Sequence, residues 1–209
     1  MASAAISPRA QRTRSAMLVA GFELLSKRPI DAIAIDDIVS RAGVAKGSFF
    51  NHFTDKPGFG QAIGAEVRRA LEARVDAANA HLTDPVERLV GGMRVAIEFA
   101  LEERTQAIVM MRGLEASTAI DHELNRGIRA DVEALVKVGL ARPEAVRSGM
   151  RFWLGVCQIA VLNTIERRPI RADAADRMRE MAVLGLTGLG VEEARAQVAS
   201  QQAASLLNP

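Results

Sequence analysis

Cysteine, histidine and long apolar runs are scarce in this chain. A single cysteine, Cys157, excludes an internal disulfide and is typical of a reducing compartment. The three histidines, His52, His81 and His122, show no metal-ligand spacing with that cysteine, so we predict neither a metal site nor a cofactor. No run approaches the roughly twenty apolar residues that cross a bilayer, and no secretory signal pattern is present. We therefore expect no membrane partner and a cytoplasmic location.

The residues that are abundant favour helices. Tyrosine is absent and tryptophan occurs once in 209 residues, whereas alanine, leucine, arginine, glutamate and methionine are frequent. These residues are good helix formers, and the length allows one large domain or two small ones. We therefore predict an all-α fold.

Positive charge is concentrated at the start of the chain. Residues 1–56 hold eight lysines and arginines against five acidic residues, a net +3, whereas the whole chain carries only +2. Arg9, Arg12 and Arg14 precede the first acidic residue and form a short cationic arm that phosphates would attract. A solvated tail explains Arg9 equally well, so Arg14, which is nearer the first helix, is the better candidate.

The segment Ile35–Lys56 has the pattern of two short helices joined at a glycine. Apolar residues at three- and four-residue spacing define one face of a first helix, and Gly43 supplies the positive φ of a tight corner. The apolar side of the second helix comes from three phenylalanines. The apolar set is Ile35, Ile38, Val39, Ala42, Phe49, Phe50 and Phe53.

Polar residues on the second helix suit a helix that lies in a major groove. Lys46 and Ser48 can contact phosphates or base edges, Asn51 can form two hydrogen bonds to adenine, and Gly47 allows close approach of the backbone. The alternative is that Lys46, Asn51 and His52 simply solvate an exposed helix of an ordinary bundle.

The string AGVAKGSFFNHFTDK, which ends at Lys56, closely resembles the DNA-binding motif of the TetR family of one-component transcriptional regulators, with Ile38 also in register. Three positions depart from the family pattern. Phe50 replaces a tyrosine whose hydroxyl commonly reaches a phosphate, Ala34 replaces a capping serine or threonine, and Asp36 lies where some members have a basic contact. The resemblance covers about a quarter of the chain.

The resemblance implies a three-helix helix-turn-helix head in residues 1–56, a connecting helix in 57–80, and a helical ligand-binding and dimerisation bundle in 81–209. It also implies a double-stranded DNA operator as partner. The predicted DNA-binding residues are Arg14, Ala45, Lys46, Gly47, Ser48, Phe50, Asn51, His52 and Lys56.

Periodicity predicts further helices over residues 9–27, 57–80, 83–103, 105–115, 121–140, 143–168 and 172–188, with a frayed end over 196–209. In proteins of this family the last two long helices pair across a twofold axis, which implies a homodimer. The predicted interface residues are Met150, Leu154, Val161, Ile165, Met178, Ala182 and Gly185, although an intramolecular core explains the same stripe. A cavity for a small-molecule effector is predicted at Phe99, Met110, Met111, Phe152, Trp153 and Cys157, with closed-core packing as the alternative.

No catalytic constellation is apparent, so we predict no catalytic residues and no enzyme. The glycines between 185 and 190 follow a predicted helix and indicate its end, because a phosphate-binding loop would follow a strand. The predicted function is a homodimeric, ligand-responsive regulator, most simply a repressor that a small apolar or amphipathic molecule releases from a palindromic operator. The alternatives are a helical carrier or enzyme with a similar head, and a DNA-binding protein without ligand control.

Overall fold

The computed structural model describes residues 7–113 and 123–208. Within these ranges the regular structure is helical, with short 3-10 turns at Ile30–Ala32 and Glu123–Asn125, and the predicted all-α fold is confirmed. The helices are α1 (Pro8–Leu25), α2 (Ile35–Ala42), α3 (Lys46–Phe50), α4 (Lys56–Ala78), α5 (Pro85–Glu102), α6 (Arg104–Arg112), α7 (Arg126–Lys137), α8 (Ala145–Arg167), α9 (Arg171–Leu189) and α10 (Glu193–Leu207). None of these described helices is long and apolar enough to span a bilayer.

The chain divides into two compact units. The first comprises Met1–Val67 and Ile108–Glu115, and the second comprises Arg68–Ala107 and Ala116–Pro209. The division falls inside α4 and inside α6, so each of these two helices contributes residues to both units.

The core of the first unit is built around three aromatic rings. Phe49 of α3 and Phe59 of α4 pack edge to face with 5.3 Å between ring centroids, and Phe53 lies 4.7 Å from Phe59. Aromatic pairs of this geometry add to the free energy gained by burying apolar area. The short helix α3 is therefore fixed by its buried side, because five residues alone are too few for a stable helix.

Two glycines allow the end of α6 to lie directly on α4 within the first unit. A Cβ added to Gly64 would come within 2.9 Å of the Cα of Gly113, and one added to Gly113 would meet the Gly60 carbonyl oxygen at 3.0 Å. Arg112, at the last position of α6, donates a hydrogen bond to the carbonyl oxygen of Leu25 at the end of α1. These contacts attach residues 108–113 to α1 and α4 of the first unit.

The second unit has one continuous apolar core with Trp153 fully buried inside it. The cluster draws on α5, α7, α8, α9 and α10, and it is dominated by leucine, valine, methionine and alanine side chains. The Gly185 position permits this packing, because an added Cβ would lie 2.9 Å from the Trp153 ring.

The end of the chain differs from its prediction. Residues 193–207 form α10, which packs against α9 and α5, so the predicted fraying over 196–209 is wrong. Alanines at helical spacing bury a narrow stripe, and small side chains let α10 approach its neighbours closely. The buried residues of α10 are Ala196, Ala199, Ser200, Ala203, Ala204 and Leu207.

The other helix boundaries agree with the predicted ranges to within a few residues, apart from the ends of 121–140. That range begins with the 3-10 turn and continues as α7, which ends at Lys137. The predicted positions Leu114, Glu115, Asp121 and His122 lie outside the described residues.

Candidate nucleic-acid interface

A left-handed glycine makes the corner between α2 and α3. Gly43 has φ 66° and ψ 34°, and the Val44 amide donates to the Val39 carbonyl oxygen at 3.0 Å, which closes the end of α2. A side chain at Gly43 would be strained in this conformation. The predicted turn is therefore present, and Val44, which follows it, is half-buried.

The start of α2 carries acids in place of a capping side chain. Ala34 occupies the N-cap without a side-chain hydrogen bond, and Asp36 and Asp37 lie in the first turn. Negative charge is favourable there because free amide groups give the helix N-terminus a partial positive charge. This arrangement compensates for the missing serine or threonine cap.

The two sides of α3 differ sharply. Phe49 is fully buried, whereas its neighbour Phe50 is 57% exposed. Most of the other predicted contact residues also lie on the outward side or at its edges. Ala45, Lys46, Gly47 and Asn51 are exposed, and Ser48 and His52 are half-buried.

Gly47 has no packing role among the residues that the structure describes. An added Cβ at this position would meet no atom within 4 Å, and the residue has no positive φ. The absent side chain therefore leaves open space on the outward side of α3, as expected where a nucleic-acid backbone comes close.

Ion pairs occupy several basic side chains of this motif. The Lys46 Nζ lies 2.9 Å from Oδ1 of Asp36, and Arg28 pairs with Asp37 at 2.5 Å. Arg41 at the end of α2 pairs with Glu23 of α1. The sequence pattern indicates only solvated acids at positions 36 and 37, because no local spacing rule reveals partners that lie on other segments.

Lys56 and Arg14 make contacts inside the unit. The Lys56 Nζ donates to the carbonyl oxygens of Asp31 at 3.2 Å and Ile33 at 3.0 Å, so it fixes the chain that leads into α2. The guanidinium of Arg14 lies over the Phe53 ring, 5.4 Å from its centroid. Lys56 thus has a structural role that its position in the motif did not reveal.

A comparison with known protein families identifies this motif. Residues 17–63 match the family described as bacterial regulatory proteins, tetR family, and the match includes α2, α3 and the corner between them. Over residues 17–63 the chain carries the N-terminal domain of the TetR family. The predicted recognition is confirmed.

A curated relative supports the same assignment over a short range. The chain is 33% identical over 57 residues to the transcriptional regulator AcuR of Cereibacter sphaeroides. The match covers 27% of this chain and 26% of the relative's length, so the two proteins are related in sequence over only about a quarter of either.

Solved structures extend the fold similarity to nearly the whole chain. RolR in complex with resorcinol matches with a TM-score of 0.67 and 21% identity, over 93% of this chain and 95% of that one. A putative TetR family regulator from Shewanella sp. PV-4 matches with a TM-score of 0.72 and 15% identity, over 85% and 97% of the two chains. At these identities the similarity shows the fold of TetR family regulators. It is no evidence for a shared ligand.

The predicted effector-pocket residues are divided between the two units. Phe99 and Trp153 are buried and Cys157 is half-buried in the second unit, whereas Met110 and Met111 belong to the segment of α6 in the first unit. Phe152 is 45% exposed and its ring lies against Gly188, and its assignment to the pocket stays a prediction.

The predicted dimer residues lie inside the second unit. All seven are buried by the chain itself in the second unit, because they form the inner stripes of α8 and α9. Side chains without exposed area cannot supply area to a partner. The buried set is Met150, Leu154, Val161, Ile165, Met178, Ala182 and Gly185.

Burial raises the pKa of the Cys157 thiol to about 12, although the positive charge of Arg68 opposes the shift. At pH 8 roughly one thiol in ten thousand would then be ionised, and the thiolate is the reactive form. We expect Cys157 in the folded protein to react with a disulfide reagent at least about 100-fold more slowly than in guanidinium, where its pKa returns to about 8.5. Equal rates in the two conditions, followed by thionitrobenzoate absorbance, would contradict the raised pKa.

The described residues contain no group of three or more histidine, cysteine, aspartate or glutamate side chains arranged to hold a metal ion.

Proposed function

We propose that this chain is a homodimeric transcriptional repressor that binds a palindromic operator through α2 and α3 and is released by a small molecule. The observation that carries the proposal is the two-sided character of α3. Its inner side is fixed by Phe49, and its outer side presents Lys46, Gly47 and Asn51 to solvent. A short rigid helix with small and hydrogen-bonding residues outward can enter a major groove.

Neighbouring groups would hold α3 in the groove through phosphates. Arg14 lies over the Phe53 ring, and the arm with Arg9 and Arg12 precedes it. Phosphate contacts fix the position and orientation on the duplex, and base contacts select the sequence. We assign Lys46, Ser48 and Asn51 to the groove and Arg14 to the backbone.

The test is selection of genomic fragments by the purified protein at about 0.15 M salt, followed by gel shift on the enriched duplex with excess random DNA. A short palindrome bound by two chains is the expected result. Ligand binding or turnover without any enrichment of sequence would favour the carrier or enzyme alternative, although the curated relative is named a transcriptional regulator.

An exposed apolar ridge on α8 and α9 supports the homodimer. The two helices run antiparallel, because Phe152 lies against Gly188, Val156 against Gly185, and Asn163 accepts a hydrogen bond from Arg177. Beside these contacts, Ile159 is 59% exposed and Leu184 is 71% exposed. The ridge positions recur at three- and four-residue spacing, as in helix pairs that pack with mates into a four-helix bundle. The ridge consists of Phe152, Val156, Ile159, Met181, Leu184 and Gly188.

A charge placed on this ridge should separate the dimer. We expect Ile159→Glu to sediment as a monomer at micromolar concentration and to lose at least about tenfold in operator affinity, because two heads no longer bind together. The matched control is Val198→Glu on α10, where the side chain is also 59% exposed but lies off the ridge. If sedimentation velocity shows that the Ile159→Glu variant is still a dimer, the ridge is not the dimer interface.

An ion pair with a buried arginine supports an amphipathic effector. Arg68 and Glu72 pair at 2.5 Å in the second unit, and Arg68 is almost completely buried. Both charges act on the Cys157 thiol, one of the predicted pocket residues. Buried charges are costly in an apolar core, and such groups concentrate at functional sites. The similar structure RolR binds resorcinol, a small ring with two hydroxyl groups.

We therefore propose a small effector with an apolar body and hydroxyl or carboxylate groups. Coupling of a few kcal/mol between effector and operator binding is sufficient for release. A screen of small phenols and carboxylates for release of the enriched duplex tests this step. A protein that no compound releases would match the ligand-independent alternative.

A further inference from the structure

An acidic residue holds Lys46, the lysine at the start of α3. Both carboxylate oxygens of Asp36 lie near the Lys46 Nζ, Oδ1 at 2.9 Å and Oδ2 at 3.1 Å. Both side chains are largely exposed, so the pair lies at the surface of the motif and joins the start of α2 to the start of α3.

The neighbouring acid has a different partner. Asp37 follows Asp36 in the first turn of α2 but pairs with Arg28, which precedes the motif. The two acids are neighbours in the same helix turn and carry the same charge. They differ in the cation with which each one pairs. This difference provides an internal control.

A DNA phosphate would compete with Asp36 for Lys46. Carboxylate and phosphate are both anionic acceptors for an ammonium group. At about 0.15 M salt the screening length is about 8 Å, so a carboxylate within hydrogen-bond distance of Lys46 repels any phosphate that Lys46 reaches. For Lys46 to bind a phosphate, the ion pair must therefore separate, or the phosphate must bind close to the Asp36 carboxylate, which repels it.

We propose that Asp36 determines specificity by holding Lys46 away from DNA of arbitrary sequence. This inference rests on the proposed function, because it assigns the motif to DNA. Phosphate contacts supply essentially all of non-specific binding, so an occupied Lys46 adds little to it. In the operator complex, base contacts seat α3 in the groove and offset the free energy of separating Lys46 from Asp36.

The direct test is Asp36→Asn, which removes the charge and keeps the shape. We measure binding to a random-sequence duplex and to the enriched duplex of the same length from about 0.05 to 0.3 M salt. One additional phosphate contact should raise random-duplex affinity about fivefold at 0.15 M and steepen the salt slope by about 0.9. The rise on the enriched duplex should be smaller, so the specificity ratio falls.

A double-mutant cycle separates an action through Lys46 from general repulsion. In a Lys46→Met background, Asp36→Asn should leave random-duplex affinity almost unchanged, since there is no lysine to release. An undiminished fivefold rise in that background would overturn the inference. Asp37→Asn changes the net charge by the same amount, and an equal rise in that variant would also overturn it.

The outcomes distinguish this inference from the function on which it rests. A protein that enriches no sequence contradicts the proposed function, while the random-duplex arm still measures the effect of Asp36. A protein that enriches a palindrome, but whose random-duplex affinity at matched salt is unchanged by the Asp36→Asn substitution, contradicts the role of Asp36 alone.

Discussion

Replacement of Phe49 by alanine should unfold much of the first unit. Phe49 is fully buried and contacts Phe53 and Phe59, and truncation of a buried phenylalanine costs about 3–5 kcal/mol of unfolding free energy. The loss removes the inner support of α3, so operator binding should disappear together with stability. Urea unfolding followed by circular dichroism, with a gel shift on the same samples, measures both effects.

The adjacent residue supplies the control. Phe50 is 57% exposed, so Phe50→Ala should change the free energy of unfolding by less than about 1 kcal/mol. Because Phe50 is a predicted DNA contact, its variant should lose affinity while it keeps its fold. A Phe49→Ala protein as stable as Phe50→Ala would contradict the aromatic core described above.

Removal of Arg88 should leave a buried carboxylate without its cation. Arg88 of α5 donates to Asp131 of α7 at 2.7 Å, and its guanidinium also faces the carbonyl oxygens of Asn79 and Leu82. Burial raises the pKa of Asp131 above its usual value, although Arg88 lowers it. We expect Arg88→Ala to lose about 2–3 kcal/mol at pH 7, below the full effect of a buried pair because Arg88 is partly exposed.

The sign of the pH dependence follows from that raised pKa. A carboxyl whose pKa is higher in the folded state binds a proton more tightly there than in the unfolded chain. The free energy of unfolding therefore falls as the pH rises above about 4, where the unfolded chain loses this proton. Arg88→Ala should therefore recover part of its loss between pH 7 and pH 5, as measured by denaturant unfolding. The double variant Arg88→Ala with Asp131→Asn, which lacks the carboxylate, should lose less at pH 7 and vary less with pH. The loss of unfolding free energy could instead be the same at pH 7 and pH 5 and the same in the single and double variants. That result would contradict the role of the buried charge.

The helix-turn-helix was readable because its determinants are local. The apolar spacing of Ile35, Ile38 and Val39, the left-handed position of Gly43 and the phenylalanines of α3 all act within about twenty residues. The family resemblance added the expectation of DNA contact to that pattern. The ion pair between Asp36 and Lys46 joins two separate segments, and so do the hydrogen bonds that Lys56 donates to backbone carbonyl oxygens. Sequence spacing therefore gave no indication of these contacts.

Helix α10 was missed for a related reason. Alanine and serine provide a weak apolar signal, and a stripe made of Ala196, Ala199, Ser200 and Ala203 resembles a polar tail in sequence. Its stability comes from close contact with α5 and α9, which small side chains permit. Only the presence of those two helices distinguishes the stripe from a frayed end.

The sequence by itself determined the all-α class, the approximate limits of most helices and the DNA-binding motif, because propensity, periodicity and turn chemistry act over short distances. The tertiary structure alone decided which side of α8 faces inward. That helix has two apolar stripes, one through Met150 and Leu154 and one through Phe152 and Ile159, and both satisfy the same helical spacing. The first stripe is buried because α7, α9 and α5 pack against it, and the second stays exposed because none of these helices covers it. Periodicity identifies a face, but the neighbours that cover it lie far away in sequence.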